Sequence, residues 1–288
     1  MNMPHLRIGT CSWKYDSWRG IVYQENSKIN YLKEYSKQFN TVEIDQWFWS
    51  LFENKKAVLP QEKDVLEYKN SVPKDFMFTI KIPNSITLTH FYNRDKSKPL
   101  IKNPYFLLPE LYDEFFKSIK PLQENTGCLM FQFEYLNREK MSSLKEFQSR
   151  FQQFHSQIDR TIPLAIEIRN SNYLNESYFK FLNQLKISHV FLEGYYMPPV
   201  KDIYKNFNNF INDFTVIRLH GPDRKGMEKI SGGEWNKIYS DRMNELKTIS
   251  ELIGDLRKKE VDIYLNVNNH FEGSAPLTIK RIKELLDE

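Results

Sequence analysis

Apolar and polar positions alternate along several short segments of this chain, and they do so in the same sense each time. In 39–45, FNTVEID, Val42 and Ile44 fall on one face and Glu43 and Asp45 on the other. In 164–169, LAIEIR, Leu164, Ile166 and Ile168 oppose Ala165, Glu167 and Arg169. VIRLH, 216–220, sets Ile217 and Leu219 against Arg218 and His220, and IYLNVN, 263–268, sets Ile263, Leu265 and Val267 against Tyr264, Asn266 and Asn268. FTIKI, 78–82, groups Lys81 with Thr79, and LMFQF, 129–133, groups Gln132 with Met130. Successive side chains of a strand point to opposite faces, so each segment has one apolar face and one that turns polar near its C-terminal end. A sheet wrapped by helices and closed on itself buries the apolar set under the helices. It gathers the polar set at one mouth, as in a (β/α)8 barrel.

The full pattern predicts strands over 6–10, 41–46, 76–82, 128–133, 163–169, 189–193, 215–220 and 262–267. Helices are predicted over about 28–38, 61–69, 110–120, 143–154, 176–185, 203–210, 236–259 and 276–286, with a break in the penultimate one at Gly254. The stripe Leu144, Phe147, Phe151, Phe154 is spaced by three and four, which marks a core-facing helix. The stretch 83–109 contains Pro83, Pro99, Pro104 and Pro109 and is expected to be loop, long enough to suggest a functional role. Strands alternating with helices predict a parallel sheet. Eight such units favour closure over an open doubly wound sheet. After the first strand, IGTCSW has one glycine where a dinucleotide fold needs three. The expected architecture is therefore α/β, a closed TIM-type (β/α)8 barrel forming a single domain over 1–288.

Composition narrows the class without naming it. The chain has 288 residues, 40% of them hydrophobic and 27% charged, an ordinary globular balance. The net charge of +4 is too small to indicate nucleic acid unless it clusters. Two cysteines, Cys11 and Cys128, make neither a disulfide framework nor a zinc spacing, and they suit a reducing compartment. No long apolar run is present, so the expected location is cytoplasmic.

The polar mouth collects acids Glu43, Asp45 and Glu167, with Glu193 expected beside them, and cations Lys81, Arg169 and Arg218. Gln132, His220, Asn266, Asn268, Asn269 and His270 add hydrogen-bonding groups. One reading is a self-satisfied ionic network that holds the barrel together, since buried charges pair. The functional reading has Lys81, Arg169 and Arg218 hold an anion, with Glu43 and Glu167 as acid or base and His220 as proton partner. A competing reading places Glu43, Glu167, His220 and His270 around a divalent ion. Three cations in the same space disfavour a metal cluster, and no HExxH is present. No metal ligand and no cofactor are assigned; a single labile Mg2+ or Mn2+ stays open. Trp13, Tyr15, Trp18, Trp47 and Trp49, with Arg19 among them, follow the first two strands and either close that loop pair or form a stacking wall. Trp13, Trp18 and Arg19 join the expected ligand-binding set. No G-x-S-x-G elbow occurs and no cysteine has an evident histidine partner, which disfavours nucleophilic hydrolysis. His5, His155 and His189 are expected to be structural.

Several motifs occur together and in order. IGTCSWKYDSWRG at 8–20, FNTVEID, FTIKIPNSIT at 78–87, LMFQF, AIEIRN at 165–170, VIRLHG at 216–221 and NVNNH at 266–270 span nearly the whole chain. Together they resemble the domain-of-unknown-function 72, or YecE-like, family. The resemblance implies a TIM-type barrel and no defined activity. Suggestions of a nucleic-acid role for that family rest on analogy with apurinic endonuclease barrels. This chain differs from the family pattern at Glu134 and Tyr135, where Pro-Pro is usual. Tyr173 is the nearest aromatic to a usual Trp, and His90 comes later than the histidine that follows the third strand.

Taken together, the residues favour an enzyme acting on a phosphate-bearing substrate, a phosphodiester or nucleotide-type hydrolase. The alternative is a non-catalytic protein that binds nucleic acid or a small anionic ligand. No membrane partner is expected. The 83–109 stretch, with His90, Arg94, Lys96, Lys98 and Lys102, is expected to act as a basic lid.

Overall fold

Eight short segments whose outward positions are almost all Ile, Leu, Val or Phe can bury those positions only by packing a continuous sheet against helices. The computed structural model of the protein describes residues 5–25, 28–52, 56–92 and 97–287, and it shows this solution. The strands are β1 (Leu6–Cys11), β2 (Thr41–Ile44), β3 (Met77–Lys81), β4 (Thr126–Gln132), β5 (Leu164–Glu167), β6 (Ser188–Gly194), β7 (Phe214–Gly221) and β8 (Asp262–Val267). They form a closed parallel barrel in sequence order, sealed where β8 pairs with β1 through Leu6↔Ile263 to Thr10↔Val267. The protein is a TIM-type α/β barrel.

Ten α-helices are seen among the described residues: α1 (Tyr31–Tyr35), α2 (Glu62–Ser71), α3 (Asn84–Thr87), α4 (Pro109–Ser118), α5 (Leu144–His155), α6 (Glu176–Gln184), α7 (Val200–Phe207), α8 (Arg224–Ser231), α9 (Met243–Lys258) and α10 (Ala275–Leu285). Between helices and sheet lies the main core, in which Val42, Phe78, Phe131, Ile166, Ile217 and Leu265 are fully shielded. Each such side chain contributes about 1.5–3 kcal/mol of burial free energy. The Phe stripe of α5 behaves as its spacing predicts: Phe147, Phe151 and Phe154 pack edge-on against Phe131 and Phe133. None of the helices is long and apolar enough to cross a membrane, among the residues described.

A second, smaller apolar cluster fills the barrel floor: Cys128, Met130, Ala165, Val190, Val216 and Tyr264. Its shape fixes one glycine. A Cβ on Gly127 would lie 2.2 Å from the Tyr264 hydroxyl, so only a residue without a side chain leaves room for the Tyr264 ring. This plug closes the barrel below, and the polar residues therefore face one opening only.

The structure departs from the expected elements in three places. The helix expected over 236–259 begins at Met243 and runs unbroken through Gly254. Its buried face, Ile249, Leu252, Ile253 and Leu256, outweighs the roughly 1 kcal/mol helix penalty of one glycine. Ahead of it lies α8, which the apolar spacing does not mark because its stretch RKGMEKIS has only Met227 and Ile230 as apolar positions. Its limits are set by Asp223, whose side chain accepts from Gly226 N, and by Gly232 at φ 61°. The 83–109 stretch is not all loop: α3 forms just after Pro83, and His90 bridges to Lys102.

Candidate functional site

Arg218 stands at the centre of the barrel, on β7, with almost no solvent exposure. The hydrogen-bonded register carries its neighbours around it. Glu43 rises from β2, Glu167 and Gln132 are paired across β5 and β4, and Asn266 is level with Arg218 on β8. Glu43 grips the guanidinium at two points, with Nε donating to Oε2 and Nη2 to Oε1, both at 2.7 Å. Nη1 donates to Glu167 Oε2 and, at 3.3 Å, to Gln132 Oε1. The other Glu167 oxygen accepts from Arg169 Nε at 3.0 Å. Burial alone would raise the Glu167 carboxyl, but Arg218, Arg169 and Lys81 outweigh it and hold its pKa at about 2. Arg218 is thereby committed to two carboxylates, and the same bonds occupy Glu43. Asn266 donates to Thr79 Oγ1 at 2.9 Å, while its own Oδ1 is buried without a partner among the described residues.

One layer higher the picture reverses. Lys81 ends β3, is nine-tenths buried, and places Nζ 4.0 Å from the centre of the Phe48 ring. It has neither hydrogen bond nor ion pair among the described residues. Burial, and then the field of Arg218, lower its pKa. Asp45, just past β2, is half-buried, and its carboxyl is raised by burial and by the nearby charge of Glu43. Arg169 is partly exposed and lies over the Tyr195 ring at 4.7 Å; no hydrogen bond reaches its Nη1 or Nη2 among the described residues.

His220, at the end of β7, joins this rim to β1. Its Nδ1 lies 2.9 Å from the Tyr195 hydroxyl and its Nε2 lies 3.7 Å from Cys11 Sγ. The Cys11 thiol also donates to Glu43 Oε2 at 3.7 Å. Burial, then Arg218, Arg169 and Lys81, push the imidazole well below its ordinary pKa, so it is neutral. Burial and Glu43 push the thiol up, so Cys11 is not a resting thiolate. This pair corrects the expectation that no cysteine has a histidine partner. The two residues are 209 positions apart, and only barrel closure brings them together. Tyr195 was also missed. Its placement follows from backbone packing: a Cβ on Gly194 (φ +134°) would lie 2.3 Å from Gly221 O, and Tyr195 N donates to that carbonyl. A V-I-R-L-H-G strand end facing a G-Y pair was the available signal.

Other expected residues lie away from this centre. Glu193 points outward and caps α7, accepting from Val200 N at 2.9 Å, so it is not an inward acid. The side-chain period places Val190 and Leu192 inside the barrel and Glu193 with the helices. Trp18 is fully buried against Tyr15 and Tyr23, and Trp13 packs edge-on to Tyr68, on which Trp47 stacks. These rings close the loop pair. Arg19 donates to the Gln24 and Glu25 carbonyls and to the Tyr31 hydroxyl, tying that loop down. Asn268 and Asn269 hold the turn after β8 through His270 N and Ala275 N. His270 lies at the rim, its Nε2 3.3 Å from Glu228 Oε1 and its ring edge-on to Trp235. His189 is packed by Tyr178, Phe179 and Phe191, as expected of a structural histidine. No group of three or more His, Cys, Asp or Glu is placed to hold a metal ion among the described residues.

The feet of the 83–109 excursion are pinned. Asn84 Oδ1 accepts from Ser50 N and Leu51 N, and Asn103 Nδ2 donates to the Ser85 and Leu88 carbonyls. His90 and Lys102 line a crevice of about 290 Å³ together with Arg138 and Lys140 of the next connection. Arg94 and Lys96 lie outside the described residues.

A family model described as a protein of unknown function, DUF72, matches residues 7–288. Solved structures of DUF72 family proteins superpose over almost the whole chain. One from Thermotoga maritima is 22% identical, covers 99% of this chain and 100% of its own, and gives a TM-score of 0.67. One from Enterococcus faecalis is 19% identical, covers 98% and 95%, and gives 0.66. No curated protein matches the chain. At these identities the structural likeness speaks for the fold.

Proposed function

The chain belongs to the DUF72 family, and from that premise and the geometry of its mouth we propose that it binds a small anionic molecule there and acts on it by acid–base chemistry. One observation carries the reading: among the described residues Lys81 has no partner and Arg169 has only its Nε engaged, whereas Arg218 one layer below is fully paired. The open edge of Arg169 offers two donors in a plane, a match for a carboxylate or phosphate. Lys81 adds a third nitrogen at the rim, buried and without an ion pair among the described residues. Burying such a group unpaired is unfavourable, which supports a ligand as its partner.

Proton transfer falls to Asp45, and the Tyr195–His220 pair supplies a fixed neutral hydroxyl. Glu43 and Glu167 serve better as fixed charges, because both are committed to Arg218. Asp45 has a carboxyl raised toward the range useful for general acid work. Burial raises the Tyr195 phenol and lowers His220, so Tyr195 keeps its proton and the neutral imidazole fixes the orientation of its hydroxyl. A phosphate-bearing substrate remains the preferred class, with hydrolysis of its ester as the reaction. Two free buried thiols suit a reducing, cytoplasmic setting.

A second reading, a longer single-stranded nucleic acid laid over the same face, draws support from the exposed rings. Trp49, Phe52, Tyr92, Tyr135 and Tyr196 are all exposed and sit in connections that leave the C-terminal ends of β2, β3, β4 and β6. One experiment separates the readings. Thermal melting and turnover are followed with phosphate monoesters, phosphodiesters, carboxylates and short oligonucleotides, on the wild type and on Arg169→Gln. The small-anion reading requires a melting shift that Arg169→Gln abolishes. A shift with oligonucleotides alone favours the second reading, shifts without turnover make the protein a binder, and no shift with any anion ends the proposal.

A further inference from the structure

Lys81 offers a second chemistry beside charge: a desolvated amine is also a nucleophile. An amine meant only to hold charge is normally met by a carboxylate, yet Lys81 Nζ has no such partner among the described residues and sits 4.0 Å over the Phe48 ring. It is rooted at the C-terminal end of a barrel strand, in register with Met130 of β4, so its Cα is held rigidly. Its side chain lies in the fields of Arg218, Glu43, Asp45 and Glu167, and Arg169 Nε binds that same Glu167. Arg218 is saturated and cannot serve as an alternative anchor. The buried amine, without a partner among the described residues, thus shares the rim with one acid, Asp45, and with the open edge of Arg169.

We propose that Lys81 is a Schiff-base-forming residue, and that the ligand of this mouth is an anionic carbonyl compound, a 2-oxo acid or a phosphorylated aldehyde or ketone. The assignment deepens the proposed function and rests on it for the anionic half of the ligand. Arg169 takes the carboxylate or phosphate and presents the carbonyl carbon to Nζ. The Nζ lone pair forms the C–N bond while the carbonyl π electrons move to oxygen, which takes a proton from the Asp45 carboxyl. The new ammonium returns one proton to the Asp45 carboxylate, leaving a neutral carbinolamine. Asp45 then delivers that proton to the hydroxyl, the C–O bond breaks, and water leaves. The product is an iminium cation on Lys81 facing an Asp45 carboxylate. No electron is gained or lost, and the only co-reactant is the carbonyl compound. Desolvation of the amine, which lowers its proton affinity, keeps the nucleophilic form accessible.

The test is reductive trapping on the intact chain. The protein is incubated with pyruvate, glyoxylate or glyceraldehyde 3-phosphate, reduced with borohydride, and read by intact mass and peptide mapping. Neutral propanal and the non-carbonyl anions lactate and phosphate are run in parallel, with melting temperature as a second readout. The expected result is one reduced adduct per chain, located on Lys81, with at least one anionic carbonyl, and its loss in Lys81→Arg. Mapping on the wild type makes the result independent of whether that variant folds. Melting shifts with lactate or phosphate but no adduct at Lys81 would overturn the Schiff base and leave anion binding intact. Equal trapping of propanal at Lys81 supports the Schiff base and removes the anionic half of the reading. Adducts spread over surface lysines without preference for Lys81 overturn the inference.

Discussion

Two layers of charge sit a few residues apart in this barrel, and they obey opposite rules. In the inner layer, Arg218, Glu43, Glu167 and Gln132 use one another up: the guanidinium meets two carboxylates and an amide. At the rim, among the described residues, Lys81 has no ion pair, Arg169 has one edge engaged and one open, and Asp45 is raised by its surroundings. Buried charges that satisfy each other define shape. Buried charges left over define where something else binds. A pocket identified only by its polar composition would merge these layers and assign Arg218 to the ligand.

The sharpest way to break the comparison is to remove the hub. Arg218→Met leaves Glu43 and Glu167 buried without their partner, so unfolding free energy should fall by about 3–5 kcal/mol in a denaturant titration. A loss under about 1 kcal/mol would mean that the inner layer is not structural.

The next largest effect is acid sensitivity. Glu167 has a depressed pKa of about 2, so its contribution is full above the unfolded carboxylate value and is lost as pH falls towards 2. The contribution is on the order of 3 kcal/mol. His189, held at a pKa of about 3 by burial, adds an earlier loss, because the unfolded chain takes up its proton from about pH 6.5 downward while the folded one does not. Stability measured against pH should therefore fall in two stages. Glu167→Gln should flatten the lower one, and His189→Phe should shrink the upper one, to which the buried neutral His220 also contributes.

The rim should behave the other way. Lys81→Met removes an unpaired charge, so stability should change by less than about 1 kcal/mol, while affinity for anionic ligands drops at least tenfold, about 1.4 kcal/mol. Calorimetry and a melting curve on the same variant check both. Smallest of all, Tyr195→Phe should cost about 1 kcal/mol of stability through its one bond to His220, and it should alter the pH dependence of any turnover.

Much of this site was legible before the structure. Glu43, Lys81, Glu167, Arg169, Arg218 and His220 stand on the polar face of strands whose other face is apolar, and period two is enough to place them inside. Period two misled at Glu193 only because β6 is apolar on both faces, which leaves the phase unmarked. The helices were harder at their ends. The buried stripe that drives α9 through Gly254 and the Asp223 cap that starts α8 are tertiary and local-geometry effects that hydrophobic spacing does not encode.

The sequence by itself determined the barrel and, except at β6, which strand positions face its interior, because alternation and the count of strand–helix units admit one economical closure. Only the tertiary structure decided which interior charges are matched and which are left open. Pairing depends on height along the barrel and on which strands become neighbours or face each other across its axis, and neither is a property of any single segment. Glu43 meets Arg218 across 175 positions, and Cys11 meets His220 across 209. Lys81, which the alternation places on the polar face just as it places Arg218, is left with an aromatic ring as its neighbour.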